Sequence, residues 1–342
     1  MKVNNNDTNN YRCIWIEIIK IISCFCLIIN HNGGFLLEYA GYTKSTVLFY
    51  SICFSICKIG VPLFLMITGY LLLKQEQSYK KSLKRIYRIF IPLLFVSLLI
   101  YIKKNGFNIS FIFIEEFINN PIIIPYWYLY MLIGLYLILP FVQKMVKNFK
   151  NKDFKYFILI CLIIPGVFPI LKVLGNINFS DKFFISLIPY SIGYMVAGLY
   201  LSQIPLKKKI RNISIITFIL PTTITILYMY ISYIVKGEIS YSLDSWYYIT
   251  TSLPALSIFY IIRYYFDRIK SNKLIEEISL VTFGIYLFHP LINYKLYCLS
   301  VIKNIFSYNP YIGVILLEII CFCICGIITY LLRKIPIIKK FI

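Results

Sequence analysis

The sequence is poor in charged residues. Only 14% of its 342 residues are charged, and hydrophobic residues make up 59%; a soluble domain carries about a quarter charged residues. The few charges fall in clusters between long apolar runs. Only a lipid solvent tolerates that pattern along a whole chain, so it excludes an ordinary soluble domain. No connection between the runs is long enough to bury a core of its own.

Ten apolar runs divide the chain, and most reach the roughly 20 residues that a helix needs to cross about 30 Å of hydrocarbon. They cover residues 14–37, 46–73, 88–103, 124–142, 156–173, 183–202, 212–235, 246–266, 278–298 and 311–333. We therefore predict an all-α, polytopic membrane bundle of about ten helices. The first run is too long for a signal-peptide core and lacks an A-x-A-like cleavage site, so we expect it to be retained.

Acidic residues are scarce as well: 14 stand against 35 basic residues, giving a net charge of +21. Such an excess can indicate a nucleic-acid partner, but the positions of the charges favour a membrane explanation. Of the 35, 25 lie in alternate connections, 8 lie in the others, and Lys20 and Lys58 lie within apolar runs. The positive-inside rule then predicts an even number of spans with both termini in the cytoplasm.

These charges also predict the organisation of the chain. We expect a membrane domain over residues 14–334, with cytoplasmic tails at residues 1–13 and 335–342. The protein is expected in the bacterial cytoplasmic membrane, with the bilayer and no nucleic acid as its partner. The ten cysteines lie mostly in apolar runs without paired metal-ligand spacing, which is typical of small packing residues, so no metal site is predicted.

Histidine is the scarcest informative residue, with only His31 and His289. Both lie in predicted helices, towards the extracytoplasmic ends. An ionisable side chain at that depth is costly and is usually retained for a site. For a single histidine of this kind, a hydrogen-bonded packing role is the alternative interpretation. Two such histidines, each within a local motif, favour a functional site.

The first predicted helix carries a polar stripe. Lys20 and His31 are eleven residues apart, so they share a face and lie about 16 Å apart along the axis. Glu17 lies three residues before Lys20 and can pair with it, which offsets the desolvation of both charges. We expect this stripe to face the bundle interior or a wet cavity.

A basic segment precedes the third predicted helix. Arg85 and Arg88 are at i, i+3, so both guanidinium groups project from one face, as suits bidentate phosphate recognition. Ordinary positive-inside anchoring is the alternative. Lys58, in the second predicted helix, is a third cation within the membrane, for which packing near a helix carbonyl end is the alternative.

Five sequence phrases, in order, resemble the acyltransferase-3 family of integral-membrane acyltransferases, which are O-acetyltransferase-like and modify mostly cell-surface glycans. The phrases are Glu17 with Lys20 and His31; VPLFLMITGY at residues 61–70, with Lys58 before it; Arg85 and Arg88; WYLY at residues 127–130, followed by Leu135, Tyr136 and Pro140; and FGIYLFHP at residues 283–290. Two positions depart from the family pattern. Lys20 replaces an arginine and loses its planar fork, while Thr68 replaces a serine and keeps the hydroxyl.

The resemblance implies a cytoplasmic acyl-CoA, such as acetyl-CoA, as donor substrate rather than as a bound cofactor. The acceptor is expected to be a hydroxyl of a cell-surface glycan or lipid-linked saccharide. Arg85 and Arg88 would hold donor phosphates, and Lys58 is grouped with them. His31 would act as general base or carry the acyl group, and either role needs a neutral imidazole.

The remaining residues receive supporting roles. Lys20 would stabilise negative charge on the donor side, and Glu17 would orient Lys20. His289 is a second polar group near the acceptor, with catalysis and substrate positioning both open. A glycan or lipid-glycan transporter is the competing function, but the prolines within spans form no matching pair of halves, as internal repeats would. A membrane scaffold without chemistry would need no buried ionic stripe.

Overall fold

The computed structural model describes residues 13–106, 111–175, 189–270 and 272–342. This part of the chain forms sixteen α-helices, and one isolated bridge joins Cys13 to Lys270. The helices are α1 Ile14–Asn32, α2 Gly34–Ala40, α3 Lys44–Cys57, α4 Gly60–Leu72, α5 Tyr79–Asn105, α6 Phe111–Asn119, α7 Trp127–Lys147, α8 Asn151–Ile158, α9 Ile164–Gly175, α10 Tyr190–Gln203, α11 Lys208–Lys236, α12 Ile249–Phe266, α13 Lys273–Leu280, α14 Thr282–Tyr297, α15 Ser300–Tyr308 and α16 Pro310–Leu332. The predicted all-α class is confirmed.

Seven helical segments in the described part of the chain are long and apolar enough to cross a membrane. They are Ile14–Ala40, Lys44–Leu72, Tyr79–Asn105, Ile124–Lys147, Asn151–Gly175, Lys208–Lys236 and Pro310–Leu332. An eighth span is formed if α13 and α14, which meet at an angle of 54°, are taken together. The predicted polytopic helical bundle is therefore confirmed.

Two of the ten predicted runs correspond to shorter helices. The run at 183–202 contains α10, of 14 residues, and begins outside the described residues; the run at 246–266 contains α12, of 18 residues. Neither is among the segments long and apolar enough to span alone. The count of ten and the cytoplasmic side of both termini stay predictions, and nearly all of the predicted N-terminal tail lies outside the described residues.

Helices α4 and α10 pack against each other in the interior of the bundle. Every residue of α10 from 192 to 199 is buried, as expected for a helix without a lipid-facing side. The contact depends on two glycines: a Cβ atom at Gly69 would overlap the backbone of Met195, and one at Gly198 would overlap the backbone of Met66. Small residues are what let membrane helices approach this closely.

The segment that follows α16 packs onto the bundle. Residues 335–342 contain a 3₁₀ turn at Ile338–Lys340, and Ile342 is buried. The Arg333 guanidinium donates a 2.5 Å hydrogen bond from Nη1 to the backbone oxygen of Ile342. The Phe341 ring lies 5.6 Å from the ring of Tyr87 on α5, measured between centroids. The predicted C-terminal tail is therefore held against α5.

Candidate active site

The two histidines, far apart in sequence, meet in the structure. His31 lies at the end of α1 and His289 in the middle of α14, and their ring centroids are 5.5 Å apart with an interplanar angle of 25°. His289 is completely buried, whereas His31 is partly accessible. Only one imidazole of the pair therefore reaches an open space.

The hydrogen bond of His289 defines its tautomer. Its Nδ1 lies 2.6 Å from the backbone oxygen of Tyr286, and a carbonyl oxygen accepts only from an N–H group. The proton is thus on Nδ1, and Nε2 carries a free lone pair. Among the described residues Nε2 has no hydrogen-bond partner although it is buried. A buried acceptor without a partner is costly and is typical of a functional site.

A cavity of 290 Å³ opens beside His31, and it is named the outer cavity after the predicted topology. Its lining residues are Leu27, Asn30, His31, Cys57, Lys58, Val61, Trp127 and Trp246. The Trp127 and Trp246 rings lie 5.3 Å apart between centroids and contribute an aromatic wall. The cavity therefore combines an imidazole, an ammonium group and two indoles in one space.

Lys58 forms an ion pair in the wall of the outer cavity. Its Nζ lies 2.8 Å from Oδ2 of Asp244, and it also lies 4.2 Å from the centre of the Phe54 ring. Asp244 belongs to the connection between α11 and α12, and its side chain is only 1% exposed. Burial raises the pKa of the Asp244 carboxyl, and the Lys58 ammonium opposes that shift. Lys58 was grouped with the donor-binding arginines from sequence, but it lies in the cavity of His31.

A buried amide and carboxyl network lies directly behind the histidines. Asn32, next to His31, donates a 2.5 Å hydrogen bond from Nδ2 to Oε2 of Glu318 on α16. Asn293, one turn after His289, donates to Oδ1 of Asn32. Three helices are thus tied together beside the imidazoles: α1, α14 and α16. Within the described residues Oε1 of Glu318 has no partner, and Glu318 lines a small apolar cavity of 120 Å³.

The other end of α1 carries a separate polar cluster. Lys20 Nζ lies 3.1 Å from Oε2 of Glu17, and the Ser279 hydroxyl on α13 donates to the same carboxylate oxygen. Glu17 is buried, and the Lys20 side chain is 23% exposed. The cluster is three turns from His31, so it does not share the outer cavity.

Arg85 and Arg88 line a cavity of 340 Å³, which is named the inner cavity after the predicted topology. Its lining residues are Arg85, Arg88, Ile89, Leu132, Tyr136, Phe283, Lys339, Lys340, Phe341 and Ile342. The Arg85 guanidinium donates to Oε1 of Gln77 from Nε at 3.2 Å and from Nη2 at 3.1 Å. Gln143 in turn accepts from the backbone N–H of Gln77 at 3.0 Å. Arg85 is therefore held in place by a pair of glutamines.

Helix α7 lines both cavities. Trp127, at its start, lines the outer cavity, whereas Leu132 and Tyr136, further along, line the inner one. At a rise of 1.5 Å per residue, these contacts are about 8 to 14 Å apart along the helix. Tyr128, on the same helix, is buried against Tyr286 of α14, with ring centroids 5.9 Å apart.

Sequence reasoning missed several of these residues. Glu318 left a signal, because it is the single acidic residue in a long apolar run, where such a residue indicates a site. Lys58 also implied a carboxylate partner, but Asp244 is too distant in sequence to be chosen among the acidic residues of the loops. Asn32, Asn293 and the glutamines left none, because neutral amides are common at helix ends and in loops.

The chain matches the model of a protein family. The model of the acyltransferase-3 family, described as an acyltransferase domain, matches residues 14–337, which is nearly the whole chain. No curated protein and no solved structure matches the chain significantly.

Proposed function

The chain belongs to the acyltransferase-3 family and is a membrane acyltransferase. On that premise we propose that it transfers an acyl group, acetyl in the simplest case, from cytoplasmic acyl-CoA. The acceptor is a hydroxyl of a cell-envelope glycan or lipid-linked saccharide. The two cavities along α7 support this division of substrates. The inner cavity is the donor site, and the outer cavity is the acceptor site.

Donor binding is assigned to Arg85 and Arg88. Both guanidinium groups line the inner cavity, and Arg85 is pre-oriented by Gln77. Planar guanidinium groups bind phosphate oxygens in a bidentate manner, with charge-assisted hydrogen bonds. The long acyl-bearing arm of the donor then extends along α7 towards the histidines.

The chemistry is assigned to His31. As general base, its free ring nitrogen accepts the proton of the acceptor hydroxyl while that oxygen bonds to the thioester carbonyl carbon. The carbon–sulfur bond breaks, and the leaving thiolate receives the proton from the imidazolium. If His31 carries the acyl group instead, the same nitrogen first attacks the thioester carbon, the carbon–sulfur bond breaks, and the leaving thiolate takes the other ring proton. The acceptor hydroxyl then attacks the acyl-imidazole carbon, the carbon–nitrogen bond breaks, and the imidazole leaves with the hydroxyl proton.

His289 is proposed to position His31 rather than to contact substrate. It is completely buried and stacked on the His31 ring, while its Nδ1 is occupied by Tyr286. The network of Asn32, Asn293 and Glu318 fixes the three helices around this pair. A reacting group held this rigidly needs little reorganisation to reach the transition state.

The acceptor is proposed to bind between Lys58 and the two indoles. The Lys58 ammonium, held by Asp244, offers N–H donors for hydrogen bonds to sugar hydroxyls. Trp127 and Trp246 offer apolar faces for the sugar ring. This assignment moves Lys58 from the donor to the acceptor. Lys20 and Glu17 are proposed to stabilise the inner half of α1, since they line neither substrate cavity.

The observation that carries the proposal is the stacked imidazole pair at an outer cavity that shares α7 with a basic inner cavity. The direct test uses membranes containing wild type, His31→Ala, or the lipid-facing control Ile219→Ala, each supplied with radiolabelled acetyl-CoA. We expect label in envelope glycans with wild type and the control, and none with His31→Ala at equal amounts of inserted protein.

Two results would contradict the proposal. Equal labelling by His31→Ala would remove His31 from the chemistry. Absence of label in every sample, across several acyl-CoA donors and with verified protein, would favour the transporter alternative.

A further inference from the structure

The inner cavity has a wall that lies far from the arginines in sequence. Lys339, Lys340, Phe341 and Ile342 belong to the segment after α16, and all four line the cavity opposite α5. Two contacts hold this C-terminal segment in place: the hydrogen bond from Arg333 to Ile342 and the ring contact between Phe341 and Tyr87. The segment is therefore part of the site.

The side chains around the inner cavity carry an excess of positive charge. Four basic side chains line it, two from α5 and two from the C-terminal segment, and no acidic side chain is among the described residues that line it. Like charges around one small space repel each other, which destabilises the docked segment while the space holds only water. A bound polyanion would reverse the sign of that interaction. The arrangement thus indicates an anionic ligand with several charges.

We propose that the C-terminal segment forms half of the donor site, with Lys339 and Lys340 binding donor phosphates together with Arg85 and Arg88. This inference rests on the proposed function, since it takes acyl-CoA as the donor. A coenzyme A molecule carries a phosphomonoester and a diphosphate, a total of about four negative charges at neutral pH. Four cations in one cavity match that charge.

The two halves of the site have different mechanics. Arg85 is fixed by Gln77, whereas the lysines are flexible point charges on a short segment. Donor binding therefore strengthens the docking of the segment beside α5, because the bound phosphates offset the repulsion among the cations. Arg333 is a positioning residue in this arrangement, because it holds the segment through Ile342 and does not line the cavity.

The test measures coenzyme A binding to purified full-length protein, so that it does not depend on turnover. The variants are Lys339→Ala/Lys340→Ala, Arg85→Ala, and the control Lys208→Ala/Lys209→Ala, which removes the same charge from exposed positions at the start of α11. We expect the dissociation constant to rise at least about tenfold in the first two variants and to stay unchanged in the control. Arg333→Gln should weaken binding less, by about threefold.

The outcomes separate this inference from the proposed function. If Arg85→Ala loses binding and the lysine variant does not, the inference is wrong and the donor assignment stands. If wild type does not bind coenzyme A, the donor assignment itself is wrong, and the inference with it.

A second arm distinguishes a lipid headgroup from the donor. Binding of coenzyme A is repeated in vesicles of phosphatidylcholine with and without phosphatidylglycerol. A lysine effect that persists without anionic lipid supports the donor site. A lysine effect that is present only with phosphatidylglycerol assigns the lysines to the lipid and overturns the inference.

Discussion

The outer and inner cavities are built in opposite ways. Around the outer cavity the polar groups are buried, lie within or beside helices, and bind one another, as His31 and His289 or Lys58 and Asp244 do. Around the inner cavity the cations lie in the first half of α5 and on the C-terminal segment, and most are exposed. The outer cavity is suited to chemistry, which needs fixed geometry, and the inner cavity to capturing a charged ligand.

This difference has an energetic consequence. A buried polar group depends on its partners, so a change at the outer cavity alters both reaction and stability. An exposed cation depends mostly on its ligand, so a change at the inner cavity alters binding and leaves the fold intact. The predictions below test that contrast, from the largest expected effect to the smallest.

The largest effect is expected at His31. Removing a general base typically costs 10²- to 10⁴-fold in rate, about 3 to 5 kcal/mol of transition-state stabilisation. His31→Ala should therefore lower kcat by that factor and leave the apparent affinity for the donor almost unchanged. Initial rates at varied acyl-CoA give both quantities. A raised donor KM with normal kcat would instead place His31 at the inner site.

The next largest effect is expected at the ion pair of Lys58 and Asp244, where substitution of the two residues should lower stability by different amounts. Lys58→Met leaves an uncompensated carboxylate that is 1% exposed, whereas Asp244→Asn leaves an ammonium that water still reaches, since Lys58 is 19% exposed. We expect Lys58→Met to lower the free energy of unfolding by about 3 kcal/mol and Asp244→Asn by about half of that. Thermal unfolding in detergent measures both, and the double variant should lose less than the sum of the two.

The stability deficit of Lys58→Met should also depend on pH. Burial raises the pKa of Asp244, and removing Lys58 takes away the charge that opposes the shift. A group whose pKa is raised on folding contributes stability that is present at low pH and lost as pH rises through its folded pKa. The deficit of Lys58→Met relative to wild type should therefore shrink between pH 7 and pH 5. A deficit that grows on acidification would contradict this assignment.

A smaller effect is expected at Arg85. Arg85→Ala should raise the apparent donor KM at least about tenfold, with kcat, acceptor KM and thermal stability close to wild type. Lys84→Ala is the matched control, since Lys84 is an exposed cation next to it on α5 and does not line the inner cavity. A loss of stability in Arg85→Ala comparable with that of Lys58→Met would remove the contrast between the cavities.

The smallest effect is expected at Gln77. Gln77→Ala removes the acceptor that orients Arg85 but keeps the cation, so the donor KM should rise about threefold to tenfold. Steady-state kinetics with varied acyl-CoA measure it. Combined with Arg85→Ala, the substitution should add nothing, because it acts through Arg85. An additive effect would show that Gln77 contacts the donor itself.

Much of the fold could be predicted from sequence because lipid imposes a local rule. Apolar runs such as residues 212–235 must form helices wherever they cross the bilayer, and that rule needs no knowledge of neighbours. The prediction weakens where a helix is buried by protein and not by lipid, as α10 is: it has 14 residues and lies among other helices. Composition alone does not separate such a helix from a spanning one.

The candidate site could be predicted only in part. His31, His289 and the arginines stood out because ionisable residues are rare in or beside apolar runs. The sequence does not predict how these residues are grouped in space. Lys58 lies in the cavity of His31 and pairs with Asp244, which comes from a distant connection. Long-range partners are set by packing, and residues that merely orient others leave no periodic signal.

The glycine contact between α4 and α10 has a consequence for how the protein is made. Helix α4 leaves the ribosome roughly ten seconds before α10 at ordinary rates of synthesis. During that interval the surface around Gly69 lacks its partner, because the backbone of Met195 on α10 has not yet been synthesised. The close contact between α4 and α10 can therefore form only after α10 has entered the bilayer, so this part of the interior is completed late in synthesis.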